Sequence, residues 1–255
     1  MQRKHVPSAA PRYWAALSIV SVFGANLGDF VSNDLHLGHA LGVPPMAVVL
    51  GAILIAERRD KSWNQAYYWL AIIVIRAAAT NLADLATMDL RLGSLWATLV
   101  LAVLLVATVF LSRPLSADTI GKSDAKHDLR ELPVTDARYW TAMVIAGTLG
   151  TVIGDFTSYG LHLGTRNASV ILGAFLAVVF YVGSRGLFAR LSYYWFAIVA
   201  VRAAGTAIGD YLAGSRALNL GLPLSTLCTG LLFAVTVLVW KDRTSHRLRM
   251  SEQAS

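Results

Sequence analysis

Residues 13–29 read YWAALSIVSVFGANLGD, an apolar run with the composition of a membrane-spanning helix that nevertheless ends on a carboxylate, Asp29. The same design recurs as YWLAIIVIRAAATNLAD at 68–84, YWTAMVIAGTLGTVIGD at 139–155 and YWFAIVAVRAAGTAIGD at 194–210. In every copy the acid stands sixteen residues after the tyrosine, giving Asp29, Asp84, Asp155 and Asp210. A feature repeated at a matched position four times marks a repeat array, and the fold has to be read as one.

The whole composition agrees with a membrane class. Hydrophobic residues make up 56% of the 255, mean hydropathy is +0.55, and 15% of residues are charged, against about a quarter in soluble domains. Each Asp-bearing run is followed by a turn and a second apolar run. The expected fold is therefore all-α and polytopic, with about eight transmembrane helices near 12–33, 42–57, 67–88, 93–112, 139–160, 168–184, 193–213 and 222–240. The second, GVPPMAVVLGAILIAE, is short for a span and must tilt little, thin the bilayer or begin nearer Leu37. Arg3, Lys4 and Arg12 resemble the start of a signal peptide, but the helix after them is one member of the repeat and is expected to be retained. The single cysteine, Cys228, lies in an apolar run and reads as a packing residue.

The copies also pair at a second level. Tyr13 to Tyr139 and Tyr68 to Tyr194 are both 126 residues apart, and Arg76 matches Arg202 where Ser21 and Gly147 fill the slot in the other copies. This divides the chain into a first half, 1–112, a cytoplasmic linker, 113–138, a second half, 139–240, and a basic tail, 241–255. With four helices per half, the halves enter the membrane from the same side as parallel two-helix repeats, related by a pseudo-twofold axis along its normal. Seventeen of the 22 Lys and Arg fall in the termini and the loops on one side, Arg91, Arg166 and Arg216 fall on the other, and Arg76 and Arg202 lie within spans. Both termini are expected in the cytoplasm. The net charge of +7 is then a topology signal, and nucleic acid is not an expected partner. The pairs Tyr13-Trp14, Tyr68-Trp69, Tyr139-Trp140 and Tyr194-Trp195 stand at the cytoplasmic helix starts and read as anchors in the headgroup belt.

The Tyr-Trp starts, the Gly-x-x-x-Gly-Asp cores and the Leu-x-Leu-Gly turns, over about residues 12 to 240, resemble the bacterial membrane-anchored protein family built from the repeat of unknown function 347. The resemblance implies a multi-pass protein of the bacterial inner membrane. It brings no activity with it.

The chemistry must come from the charged stripe. Each Asp directly follows a small pair four residues apart: Gly24 and Gly28, Ala79 and Ala83, Gly150 and Gly154, Gly205 and Gly209. Such pairs let another helix approach closely, which puts the Asp beside protein and away from lipid. Thr80, Thr151 and Thr206 are four residues before their Asp, and Arg76 and Arg202 four before a Thr, so Arg, Thr and Asp share one helix face. Arg and Asp on one helix are about 12 Å apart along the axis, so partners should come from other helices. Six such charges cost on the order of 15–20 kcal/mol if isolated and additive, comparable to the stability of a whole protein. They must be compensated, hydrated or partly neutralised. Four carboxylates against two guanidiniums leave a deficit of two positive charges, which one divalent cation, two monovalent cations or two protons would fill.

Sixteen residues put each Asp about 24 Å from the Tyr-Trp belt, past the midplane of a core about 30 Å thick and closer to the outside. One reading is a transporter or channel that moves a small cation through the four Asp, with Arg76 and Arg202 tuning their charge. Hard oxygen ligands suit Mn, Mg or Ca, and a bound divalent cation is the candidate cofactor, with Asp29, Asp155, His36 and His162 as candidate metal ligands beside the looser set Asp34, His36 and His39. A second reading is a scaffold or sensor held together by an Arg–Asp network. A third, an intramembrane aspartyl enzyme, lacks its Gly-x-Gly-Asp motif, since the stretches here include Asn26-Leu27-Gly28-Asp29, and no other catalytic motif is found. No residue is assigned a catalytic role; the expected partners are the lipid bilayer and a small cation, and a homo-oligomer is compatible with the pattern.

Overall fold

The computed structural model describes residue 7 and residues 9–60, 64–111, 135–185, 190–214, 218 and 220–252, among which there is no strand. Eight helices follow one another: α1 (Pro11–Asp29), α2 (Gly38–Arg59), α3 (Ala66–Asp84), α4 (Ser94–Leu111), α5 (Ala137–Asp155), α6 (Gly164–Ser184), α7 (Arg190–Gly214) and α8 (Gly221–Glu252). Two bounds differ from the sequence expectation in a way that matters. α2 starts at Gly38, so the helix expected to be short has 22 residues and carries Pro44 and Pro45 inside it. α8 continues through the segment expected as a separate tail. Linker residues 113–134 and the charged Arg3, Lys4, Lys61 and Arg216 lie outside the described residues, as do Asn219 and the side chains after Val239.

The inner helices α1, α3, α5 and α7 close a ring: α1 packs on α3, α3 on α5, α5 on α7, and α7 back on α1. Missing side chains make this possible. A Cβ added at Gly28 would stand 2.6 Å from the Cβ of Thr80, one at Gly150 2.5 Å from the Cβ of Arg202, and one at Gly205 2.6 Å from the Oγ of Ser21. Gly24 meets Arg76, Gly154 meets Ala203 and Thr206, and Gly209 meets Ala25 and Asn26 in the same manner. Each small-residue face therefore receives the polar face of a neighbouring copy at the same depth, which requires the four inner helices to run in the same direction.

The other four helices lie outside this ring, and each packs on the inner helix of the following copy: α2 on α3, α4 on α5, α6 on α7 and α8 on α1, with α8 also touching α7. Val48, Leu99, Val103, Val170, Leu231 and Leu238 show how apolar their outward faces are. Among the described residues six helical stretches have the length and composition to cross a membrane: Pro11–Asp34, Gly38–Arg59, Ala66–Asp89, Gly164–Ser184, Leu191–Gly214 and Gly221–Val239. α4 is likewise apolar over Ser94–Val109. α5 is diluted by Thr141, Thr148, Thr151 and Gly147, Gly150, Gly154. In the turns between inner and outer helices, Gly38, Gly93, Gly164 and Gly221 have φ of 67°, 71°, 73° and 67°, while His36, Arg91 and His162 have φ of 56°, 53° and 54°. The Leu-x-Leu-Gly signature is thus a left-handed turn with two positive-φ positions, of which glycine takes the last without strain.

The tyrosines correct the headgroup-belt expectation. Tyr13, Tyr68, Tyr139 and Tyr194 are 0%, 1%, 3% and 5% exposed, and their hydroxyls face one another. Tyr13 bonds Tyr68 at 2.9 Å, Tyr68 bonds Tyr139 at 2.8 Å, Tyr139 bonds Tyr194 at 2.8 Å, and Tyr194 returns to Tyr13 at 2.9 Å. A closed cycle lets every hydroxyl donate once and accept once, so four buried phenols are satisfied without water. Each ring also stands edge-on to the Trp beside it in sequence, with centroids 5.1–5.3 Å apart, and leans on the Trp of a neighbouring copy. One turn further along lie Leu17, Ile72, Met143 and Ile198, all fully buried. Together the two layers seal this end of the ring.

Tyr68→Phe leaves two neighbouring hydroxyls short of a partner and is expected to destabilise the protein by about 1–3 kcal/mol, whereas replacing all four by Phe should cost less than four times the single change, because no orphan remains. Thermal unfolding in detergent measures both. The same assay should show Gly28→Ala losing about 1–3 kcal/mol through overpacking, and Gly51→Ala, which meets nothing within 4 Å, neutral or stabilising by up to about 1 kcal/mol.

Candidate functional site: the four-aspartate mouth

The acids occupy the opposite end of the ring from the tyrosines. In the first three copies the Asp is the last α-helical residue and is followed by a π-helical turn, Phe30–Asp34, Leu85–Asp89 or Phe156–Gly160. The wide turns close through bonds spanning five residues, from the amides of Leu35, Leu90 and Leu161 to the carbonyls of Phe30, Leu85 and Phe156 at 3.0, 2.8 and 2.8 Å. A π turn inserts one residue and re-aims those after it. In the fourth copy α7 continues as regular helix to Gly214.

Here the four carboxylates come within range of mutual repulsion. Asp29 feels Asp84 and Asp210, and Asp155 feels the other three. Asp84 is buried, and Asp29, Asp155 and Asp210 are half-buried. The cluster therefore forms a mouth, open at the end away from the tyrosine seal. Groups around it come from other copies. His39 on α2 has Nε2 3.9 Å from Asp84 Oδ2 and Nδ1 3.3 Å from Asp89 Oδ1, and the Tyr159 hydroxyl donates to Asp210 Oδ2 at 3.3 Å. Asp89 and Tyr159 escaped the sequence reading because the residues they meet lie about 50 positions away.

Below the acids sits Arg202, fully buried, which reaches all three other inner helices. Its Nε donates to Thr151 Oγ1 at 2.8 Å on α5, Nη1 to the Ser21 carbonyl at 2.9 Å on α1, and Nη2 to Thr80 Oγ1 on α3. All four aspartates feel its positive charge. Arg76, its counterpart by sequence, is equally buried but turns toward the other end. Among the described residues its hydrogen-bond contact is from Nη2 to the Met143 sulfur at 4.0 Å, while Nε and Nη1 find no partner. The difference follows from one residue. Arg202 finds a threonine in the preceding copy, Thr151, whereas the position equivalent for Arg76 is Ala25. Thr206, the hydroxyl that matches Thr80 half a ring away, is left without a partner.

Among the described residues neither arginine lies within 4.0 Å of a carboxylate. The expected trans partners of Arg202 are present, but they are hydroxyls and a carbonyl. Nor are the candidate metal ligands Asp29, Asp155, His36 and His162 gathered: no three His, Cys, Asp or Glu side chains among the described residues are placed to hold a metal ion. His36 and His162 are exposed turn residues, there for the left-handed backbone.

A closed ring of polar-cored inner helices, wrapped in outer helices with apolar faces, fits a multi-pass membrane protein. The family model described as Repeat of Unknown Function (DUF347) matches residues 138–185 and 193–244, two tandem positions in the second half of the chain. No curated protein and no solved structure matches the chain.

Arg202→Leu removes three buried hydrogen bonds and a buried cation whose charge all four acids feel, and is expected to cost on the order of 3–5 kcal/mol, seen as lost folded yield. Asp210→Asn should restore part of that yield for Arg202→Leu and none for Arg76→Leu, read by size-exclusion of the detergent-extracted protein.

Proposed function

We propose that the chain is a bacterial inner-membrane protein that takes up a small cation, protons foremost, at the four-aspartate mouth and carries it across the membrane. The observation that carries this reading is the gathering of four acids, with one buried cation below them, at the end of the ring opposite the tyrosine seal. Protons suit the cluster because they need no assembled ligand shell, and Mn, Mg or Ca would each require carboxylates drawn together around the ion. On this reading the two halves are parallel repeats about an axis along the membrane normal, both termini are cytoplasmic, and the mouth opens outward with the inner gate shut. Transport then requires the tyrosine and aliphatic layers to part, by rocking of one half against the other. Fusion reporters at the two termini and in the 113–138 linker test the orientation, and all three should report cytoplasm.

The second reading is a scaffold or sensor, and Arg202 favours it, since a side chain bonded to three helices holds them together whether or not anything moves. Asp29→Asn and Asp155→Asn separate the two. Both preserve side-chain volume while removing charge, and on the transport reading both insert normally but lose most of the cation or proton flux in proteoliposomes. Normal folding with undiminished flux in both variants sinks the transport reading.

A further inference from the structure

Arg76 sits in the layer formed by Ser21, Arg76, Gly147 and Arg202, one residue from each inner helix. It is fully buried, and its Nε and Nη1 have no hydrogen-bond partner. Below it is the aliphatic layer, touched through Met143 at 4.0 Å. Beside it is a second buried guanidinium, Arg202, whose charge opposes its own. An always-charged group in such a place is strongly destabilising unless something answers its charge, and among the described residues no carboxylate lies within 4.0 Å of it. In the same layer the Ser21 hydroxyl, also fully buried, is without a partner, and Gly147 brings no side chain to the Nη1 side, where a Cβ would stand in van der Waals contact with that nitrogen at 3.7 Å.

We propose that this layer binds a small monovalent anion of halide size, held by Arg76 and the Ser21 hydroxyl. The unfilled donors all give hydrogen bonds to a negative ion, and the neighbouring Arg202 adds attraction. The anion neutralises Arg76, so the charge balance of the core is struck in two separate compartments: acids against Arg202 at the mouth, and anion against Arg76 above the seal. The site stands independently of whether the aspartates transport a cation.

The test uses the purified full chain in detergent, in sodium chloride, sodium bromide and sodium gluconate at equal ionic strength, gluconate being too large to enter. A ligand bound only by the folded state raises its melting temperature, and Tm is expected to be about 5 °C higher in saturating chloride or bromide than in gluconate. Arg76→Met should abolish that difference. Equal Tm in the three salts, or an unchanged halide effect in Arg76→Met, overturns the proposal; the first result would leave a neutral water as the occupant. Should the variant fail to fold, wild-type crystals soaked in bromide decide. An anomalous peak within hydrogen-bonding distance of Arg76 upholds the site, and its absence overturns it. Neither outcome bears on proteoliposome flux through Asp29 and Asp155, so failure of one idea is distinguishable from failure of the other.

Discussion

Arg202 is the point on which the ring closes. A guanidinium removed from water must place its N–H groups on acceptors, and Arg202 does so by taking one acceptor from each of α5, α1 and α3. That arrangement sets a condition on the backbone, because three helices can come within reach of one side chain only where nothing fills the space between them. The glycines supply the condition. Gly150 lies against the Cβ of Arg202 itself, and Gly205, one turn further on, lies against Ser21, whose carbonyl Arg202 uses. The copies cannot be fully equivalent around such a hub, since a single axis has room for one side chain bonded this way. Ala25, standing where the other three copies have threonine, settles which arginine takes it.

The ring is polarised along its axis by ordinary side-chain chemistry. At one end, four phenols close on each other and leave no donor or acceptor for water, and the aliphatic layer above them adds a second barrier. At the other end, like-charged acids repel, π turns widen the backbone, and half-buried carboxylates meet solvent. The outer helices contribute little to this gradient. They bury a small share of their surface and offer hydrocarbon to the surroundings, as an assembly whose polar groups all face inward requires.

Much of this architecture was legible in the sequence because repetition makes it so. Four copies of Tyr-Trp and Asp at fixed spacing reveal the array, the helix length and the two opposite ends, and small residues four apart reveal the faces that pack. The tyrosines were misjudged for a physical reason: a single amphipathic ring at a helix start has the headgroup belt as its natural place, and only four identical rings at one depth of four parallel helices create a better one on the axis. The π turns left no trace because a one-residue insertion inside a helix does not break an apolar pattern that already ends there. The pairing of His39 with Asp84 and of Tyr159 with Asp210 depends on which copy lies beside which, and spacing within a copy carries no information about that. His36 and His162 drew attention as ligands, while the backbone explains them as left-handed turn residues.

The crossing of each outer helix onto the next copy's inner helix bears on how the fold arose. A lone two-helix unit is an open piece, with a second helix that has no groove to occupy and a first helix whose groove stands empty. Both defects vanish only when units follow one another head to tail around a full circle, and α8 lying on α1 is the step that completes the circuit. Four separate two-helix chains exchanging arms around a common axis would present every one of these interfaces, so joining such chains end to end creates no contact that the separate pieces lack.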